Sequence, residues 1–446
     1  MTWKKVKLGE ILKQYRIEHR VENDITYKQV SILNDGSVVL RGSKIGKEIG
    51  RKRQFKIDTK KYPNTLIFTR QLLLQGSIGI ASDNVNDCIV TENMPMFSID
   101  TTKIAKEFLL LFLKSEIFKS QIREIELSGS AQKSIHERTF LNLEFLLPPF
   151  ELQKTMVVGL LKLKNNSDNI SGELSHQLSL VKKLRQQLLQ DAVEGKLVEQ
   201  NKKDESASEL LKKIKAEKEK LILNKIIKQG KIQEAEQQEG LLFEIPKNWI
   251  WCTLDDISKN ITDGTHQTPT YTKSGRVFLS AQNIKPFKFM PEKHKFVSEE
   301  AYHEIIKNRK PEKGDILVAR VGAGIGEAAV INSEIDFCFY VSLALVQPFK
   351  KYLNTDYLAL VINSPYGVKY AKGNISSKGG SAGNFNLGRI RSFLIPLPPL
   401  AEQNRIVQKV DELTRNCNDL EESIKQSALQ NEKLLQQVLR EALRRN

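Results

Sequence analysis

The chain has 446 residues, 40% hydrophobic and 27% charged, with 69 Lys+Arg against 53 Asp+Glu, a formal net charge of +16 and a pI near 9.4. That length exceeds what one core sustains, so two or three domains are expected, and the composition excludes a largely disordered chain. The basic excess favours a polyanionic partner, while four scattered cysteines without a C-x-x-C pair argue against a zinc ribbon or a disulfide framework and fit a reducing cytosol.

The opening, MTWKKVKLGEILKQ, lacks the apolar core of a signal peptide, and no run reaches the length of a membrane span, so a soluble intracellular chain is expected. Residues 1–147 then read as a strand-rich domain with short helices. It includes WKKVKLGEI from Trp3, the apolar strand NTLIFTR at 64–70 and the turn GSIG at 76–79. Pro148-Pro149 opens a long helix over 148–200, because proline in a first turn forfeits no hydrogen bond. Residues 201–242 are highly charged and helix-prone from about Ser206 to Lys228, which predicts a solvated linker with one exposed helix. A second strand-rich domain follows over 243–395, and Pro398-Pro399 opens a second helix within 396–446.

These elements are two copies of one plan. PPFELQKTMVVGLLKL at 148–163 returns as PPLAEQNRIVQKVDEL at 398–413, and KLRQQLL from Lys183 returns as KLLQQVL from Lys433 at the same offset of 250. Upstream the repeat is looser. WKKVKLGEI echoes WIWCTLDDI from Trp249, NTLIFTR echoes GDILVAR at 314–320, and LNLEFLLPP echoes IRSFLIPLPP.

Met156, Leu160, Leu163, Ser167, Ile170, Leu174, Gln177, Val181, Leu184 and Leu188 step by fours and threes, the spacing of a coiled-coil seam. Ile406, Val410, Leu413, Cys417, Leu420, Ile424, Ser427, Asn431, Leu434 and Val438 do the same. Some 45 helical residues span roughly 65 to 70 Å, and neither helix can bury such a stripe alone. The matched heptads favour pairing of helix with helix over each packing on its own domain, and the architecture expected is α+β, two strand-rich domains separated by the helices as an antiparallel coiled coil. NNSDNISG at 165–172 and RNCND at 415–419 are weak helix formers and allow a kink or a polar contact. Asn431 on the seam either fixes register or faces solvent at a frayed end.

Motifs that invite an enzyme fail on their context. GGSAG at 379–383 matches G-x-S-x-G, but no buried strand precedes it and no histidine follows in hydrolase order. RVGAGIGEA at 320–328 lacks dinucleotide-loop spacing and predicts a tight turn; GSKIGKE at 42–48 has Glu48 where a P-loop needs Ser or Thr. LPPF at 147–150 has Leu147 in place of the asparagine of amino-methyltransferases. The six histidines show no metal-binding spacing, so no catalytic residue, cofactor site or metal site is expected.

Polar and basic loops point instead to nucleic acid. Residues 41–61 carry nine basic side chains against two acidic ones, and residues 369–391 carry five and none. Lys and Arg neutralise phosphates, while Arg, Asn and Gln can pair with base edges. The candidate DNA contacts are Arg41, Lys44, Lys47, Arg51, Arg53, Arg70, Gln132 and Lys133 in the first half. In the second they are His266, Gln267, Asn283, Lys285, Arg320, Lys378, Ser381, Asn384 and Asn386.

PLPPLAEQNRIV at 396–407, LPPFELQKTMV at 147–157, FEIPKNWIW at 243–251, TDGTHQTPTY at 262–271, GDILVAR with its glycine turn and the two helices together resemble the specificity subunit of type I restriction-modification systems. The resemblance covers nearly the whole chain. It implies that residues 1–147 and 243–395 are target recognition domains, each reading one half of a split, asymmetric double-stranded DNA site. It implies that the helices form a spacer docking two methyltransferase subunits, alongside restriction and translocase subunits, in a bacterial or archaeal cytosol. S-adenosylmethionine, ATP and magnesium would belong to those partners, and this chain would be non-catalytic. The remaining alternatives are a coiled-coil adaptor and a GGSAG hydrolase. One departure stands out: the second copy has Glu402-Gln403, the first Leu152-Gln153.

Overall fold

The computed structural model describes residues 3–127, 134–227, 243–307, 309–375 and 383–444. The chain divides into two compact units, residues 1–176 with 424–446, and residues 177–423. The units therefore divide within the long helices.

The first unit carries strands β1 (Lys4–Lys7), β2 (Leu12–Tyr15), β3 (Glu18–Arg20), β4 (Thr26–Ile32), β5 (Val38–Ile45), β6 (Arg53–Lys56), β7 (Thr65–Phe68), β8 (Ile78–Ile80), β9 (Ile89–Val90), β10 (Met96–Ile99) and β11 (Glu144–Leu147). Its helices are α1 (Lys106–Lys114), α2 (Glu116–Leu127), α3 (Glu137–Leu141) and the start of α4 (Phe150–Val193). The inner sheet has the order β2-β10-β7-β8, β1 pairs with β11, and an outer sheet runs β3-β6-β9-β4-β5. All four residues of β7 are buried, as its apolar run predicts, and Phe68 lies in a cluster with Phe97, Phe108 and Phe140.

The second unit contains the docked helix α5 (Ala207–Leu223). Its strands are β12 (Ile250–Thr253), β13 (Ser258–Asp263), β14 (Arg276–Leu279), β15 (Ile284–Lys285), β16 (Lys288–Phe289), β17 (Lys295–Val297), β18 (Ile316–Ala319), β19 (Ala328–Val330), β20 (Phe337–Phe339), β21 (Leu343–Pro348) and β22 (Leu394–Leu397). Its remaining helices are α6 (Glu299–Ile306), α7 (Thr355–Asn363), α8 (Pro365–Gly373), α9 (Leu387–Arg391) and the start of α10 (Leu400–Arg444). The inner order β13-β21-β18-β19 repeats that of the first unit position for position, as does the pair β12-β22. Outside this scaffold the second unit carries a three-stranded sheet, β17-β14-β20, and the hairpin β15-β16.

Both long helices are continuous through their weak middles. In the first unit Asn431 donates to the Ser167 carbonyl at 2.9 Å and to the Ser171 hydroxyl at 3.0 Å. In the second, Arg185 reaches Asn418 and Glu421, each at 2.7 Å. As α4 advances from Ser167 to Arg185 its partners recede along α10, the order of antiparallel pairing. Asn431 thus makes a specific polar contact on the seam and is not a solvent-facing end residue.

The seam itself differs from its sequence expectation in one of its two columns. Leu160, Val181, Leu188, Ile406, Val410 and Ile424 are buried, and Met156, Leu174, Leu413, Asn431 and Val438 are half-buried. Leu163, Ile170, Leu184, Leu420 and Leu434 are 44–61% exposed. On α10 the inward places fall one residue later, at Glu421, Ala428 and Leu435, and on α4 the same shift holds at Arg185, whereas Lys164 and Ser171 are exposed like the residues before them. Apolar spacing could not separate adjacent columns where leucines stand in both; the Arg185–Glu421 ion pair occupies the corrected one.

The linker also differs. Ser206 caps α5, its hydroxyl accepting from the Glu209 amide at 3.3 Å. The helix is not solvated all round. Ala207, Leu210, Leu211 and Ile214 are buried in the core of the second unit, and Lys218 binds Asp255 at 2.9 Å. The spacing 207, 210, 211, 214 is an apolar helical face that the surrounding lysines and glutamates obscured.

At the foot of each long helix stands a buried glutamine. Gln153 accepts from the Ala105 amide and donates to the Pro148 carbonyl, both at 2.8 Å. Gln403 accepts from the Asn354 amide at 2.9 Å and donates to the Pro398 carbonyl at 3.0 Å. Ala105 and Asn354 are the N-cap residues of α1 and α7, so each glutamine ties its domain to its helix in the same way. The acid preceding it is not shared. Glu402 accepts from Trp249 Nε1 at 3.0 Å and from Gln200, which only the second unit supplies, and Leu152 needs no such partner. Burial raises the Glu402 carboxyl above the usual range, only partly offset by those two hydrogen bonds.

Candidate nucleic-acid interface

The exposed Lys and Arg among the candidate contacts lie on the elements that differ between the units. In the first unit Arg41 and Lys44 are exposed on β5, a strand at the edge of its sheet, with Lys47 and Arg51 exposed just beyond it. Arg53 on β6 is exposed and ion-paired with Glu18. In the second unit His266 and Gln267 are exposed on the loop after β13, and Lys285 is exposed on β15, 3.6 Å from Glu327. Asn384 is exposed, its backbone bridged to Val321. Gln132, Lys133, Lys378 and Ser381 lie outside the described residues, as does most of GGSAG.

Four candidates are occupied by the fold. Asn283 is fully buried: its Oδ1 accepts from the Ser280 amide, and its Nδ2 donates to the Met290 and Lys293 carbonyls. Asn386 is the N-cap of α9, accepting from the Arg389 amide at 2.9 Å. Arg70 and Arg320, at matched positions after β7 and β18, have side chains only 11% and 6% exposed. Polar residue type suggested surface contacts here, but buried polar groups find their partners within the protein, as these do, Arg70 Nε excepted.

The two arginines have the same backbone environment. The Arg70 amide donates to the Asn93 carbonyl at 3.0 Å, and its carbonyl accepts from the Ile135 amide at 3.2 Å. The Arg320 amide donates to the Ser342 carbonyl, and its carbonyl accepts from the Phe385 amide, both at 2.9 Å. Each arginine thereby fastens the end of an inner strand to the chain that leads into α3 or α9.

Their counter-ions come from different places. Arg70 Nη2 donates to Glu137 at 2.6 Å, and the same oxygen accepts from Arg16 and Gln14 at 3.1 Å. Burial pushes the Glu137 carboxyl up, but hydrogen bonds from Arg70 and Gln14 and the Arg70 charge outweigh it and hold it below the usual glutamate range. Arg320 Nη1 instead binds Asp263, and its Nε donates to the Phe385 carbonyl at 3.0 Å. His266 Nε2 lies 3.1 Å from the same Asp263 oxygen. Gly264 must be glycine, since a Cβ there would stand 2.1 Å from the Phe339 carbonyl oxygen.

Arg16, Gln14, Glu137 and Asp263 were not singled out from sequence. Only the strand pairing reveals them: Tyr15 lies opposite Met96, and Met96 opposite Ile67, while Thr262 lies opposite Leu345 and Leu345 opposite Leu317. Arg16 and Asp263, the next residues, hold equivalent places. The glycine segment at 320–328 is a tight turn, with Gly322 and Gly326 at φ of 91° and 86° and the Gly326 amide bonded to the Ala319 carbonyl. Among the described residues there is no cluster of potential metal ligands and no helix long and apolar enough to cross a membrane. All four cysteines are free and buried.

A duplicated α+β scaffold, with a long helix leaving each copy and divergent outward sheets, defines the class of this protein. The model of the type I restriction modification DNA specificity domain matches residues 1–179 and 243–430, and the chain belongs to that family. It is similar to the type I restriction enzyme EcoAI specificity subunit of Escherichia coli, 27% identical over 380 residues, covering 72% of this chain and 62% of that protein. It is also similar to the EcoEI specificity subunit of Escherichia coli, 32% identical over 280 residues, 58% of this chain and 43% of that protein. The matches thus span less than two thirds of these relatives' length. The fold matches the HsdS subunit from Thermoanaerobacter tengcongensis with a TM-score of 0.55 at 18% identity, covering 99% of this chain and 97% of that one. It also matches a chain solved in work on complex assembly and conformational transition of the type I R-M system, with a TM-score of 0.59 at 17% identity, covering 99% and 98%.

Proposed function

We propose that this chain is the DNA sequence-recognition and scaffold subunit of a type I restriction-modification complex. Each unit reads one part of a bipartite, asymmetric DNA target, and the paired helices hold two methyltransferase subunits, with restriction subunits completing the assembly in the cytoplasm. The chain performs no chemistry itself; S-adenosylmethionine, ATP and magnesium act in its partners. The observation that carries this reading is the contrast within each unit between a repeated inner scaffold and an unrepeated outward sheet. One scaffold bearing two different surfaces suits two unlike half-sites, and the exposed cations on those surfaces suit a phosphate backbone.

Genome-wide mapping of methylated bases in source cells with and without the gene tests the role. A bipartite motif that disappears with the gene is expected; an unchanged methylome overturns it. Exchanging residues 1–147 for those of a relative should alter one half-site alone, and a change in both halves, or in neither, counts against the division of labour.

A further inference from the structure

The buried arginine is constant between the halves, but its acid has moved. Glu137 is the first residue of α3, and the first residue of α9 is Leu387. Asp263 ends β13, and the equivalent place after β2 is Arg16. Each half therefore neutralises the same guanidinium from the opposite side, and whichever wall lacks the acid is free to carry something else.

In the first half that something is a second arginine. The Arg16 side chain is 48% exposed, while the Glu137 it binds is 11% exposed. Glu137 holds Arg16 by Nη2 alone, and among the described residues Arg16 makes no other hydrogen bond. A guanidinium tethered at Nη2 by a buried carboxylate keeps its remaining N–H groups available on its exposed side. Part of its rotamer entropy is lost to that tether before any ligand arrives. In the second half the carboxylate itself occupies the strand end, and the side chain it holds is the imidazole of His266, 71% exposed. Carboxylate, buried arginine and an exposed nitrogen-bearing side chain recur in both halves with the chain positions exchanged.

We propose that this device displays one reading side chain per half, and that Arg16 is a specificity-determining residue contacting guanine in the half-site read by the first unit, with His266 as its counterpart in the second. The assignment rests on the DNA-reading role proposed above. An arginine tethered at one nitrogen keeps the rest of its planar fork to donate to guanine O6 and N7 in the major groove, a rigid two-donor geometry that the flexible ammonium of lysine lacks. Glu137 is a positioning residue: it aims Arg16 and need not touch the target.

The test uses the full chain co-expressed with its methyltransferase subunits, the motif being read from the methylated bases of the host genome. The unsubstituted complex first settles whether a bipartite motif exists at all, which decides the underlying role separately. Given that motif, Arg16→Lys and Arg16→Ala should each lower the preference for guanine at one position of one half-site roughly tenfold or more, leaving the other half-site unchanged. Glu137→Gln, which keeps the shape but loses the charge that fixes Arg16, should relax the same position by less. His266→Ala should act on the other half-site only. An unchanged motif with Arg16→Lys overturns the proposal. So does a uniform weakening at all sequences with Arg16→Ala, since that marks a phosphate contact. If Arg16→Ala fails to assemble, Arg16→Lys and Glu137→Gln decide alone.

Discussion

In the first unit the outer sheet has five strands and ends in the exposed edge strand Val38–Ile45; in the second it has three, supplemented by a hairpin and the helix Glu299–Ile306. Behind these sheets the inner strands keep one order, the buried arginines keep one set of backbone partners and the foot glutamines keep one pair of hydrogen bonds. Parts that must pack against one another have stayed alike, because a change on either side leaves a void or an unpaired polar group. Parts that end in solvent have drifted without that penalty. The two exceptions, Glu402 against Leu152 and Asp263 against Arg16, occur where one unit has a neighbour that the other lacks.

The comparison can be broken most forcefully at the docked helix, which the first unit does not possess. Ile214→Ala should destabilise the second unit by about 2–5 kcal/mol, because a fully buried isoleucine is removed from a closed core. A solvated linker would show a change within about 0.5 kcal/mol, so urea unfolding of the full chain separates the two. At the matched feet, Gln153→Ala and Gln403→Ala should each cost roughly 2–4 kcal/mol, since each strands a buried amide and a buried carbonyl. Similar losses in both variants sharpen the equivalence, and a loss in only one of them breaks it.

The corrected seam predicts a smaller contrast. Leu160→Ala should cost about 2–3 kcal/mol, while Leu163→Ala, 44% exposed, should stay within about 0.5 kcal/mol, both read from thermal melts. Equal losses would restore the register expected from leucine spacing.

The smallest effect concerns pH. The folded protein keeps the Glu402 proton to a higher pH than the unfolded chain does, so this group costs stability as pH rises from the unfolded glutamate value to the raised folded one. Glu402→Gln removes that dependence. Stability of the natural chain minus that of the variant should therefore fall as the pH is taken from about 4 towards neutrality. A flat difference contradicts the buried carboxylate.

Much of this architecture was legible in the sequence. The repeat at an offset of 250, the two Pro-Pro helix starts and the apolar runs NTLIFTR and GDILVAR fix the duplicated plan and its long helices. The outer sheets were not legible, because strands as short as Glu18–Arg20 and Ile284–Lys285 carry too few residues for a period to emerge. The candidate interface was legible only by residue type. Charge marks Arg41 and Lys44 as readily as it marks Arg320, and nothing local shows that Arg320 faces an aspartate 57 positions earlier. Arg16 sat in plain view between a tyrosine and an isoleucine. Its partner Glu137 lies 121 positions away, and only the fold brings the two together.

The docking of Ala207, Leu210, Leu211 and Ile214 has a practical corollary for anyone recombining such genes. A crossover at residue 243, where the second strand-rich domain begins in the primary structure, would graft a foreign domain onto an inherited helix whose apolar face was shaped for another surface. Val193 and Ala192, buried in the same core, belong to that inherited surface too. A cassette that keeps this core together therefore begins upstream of Ala192, inside the long helix, and carries its own brace with it.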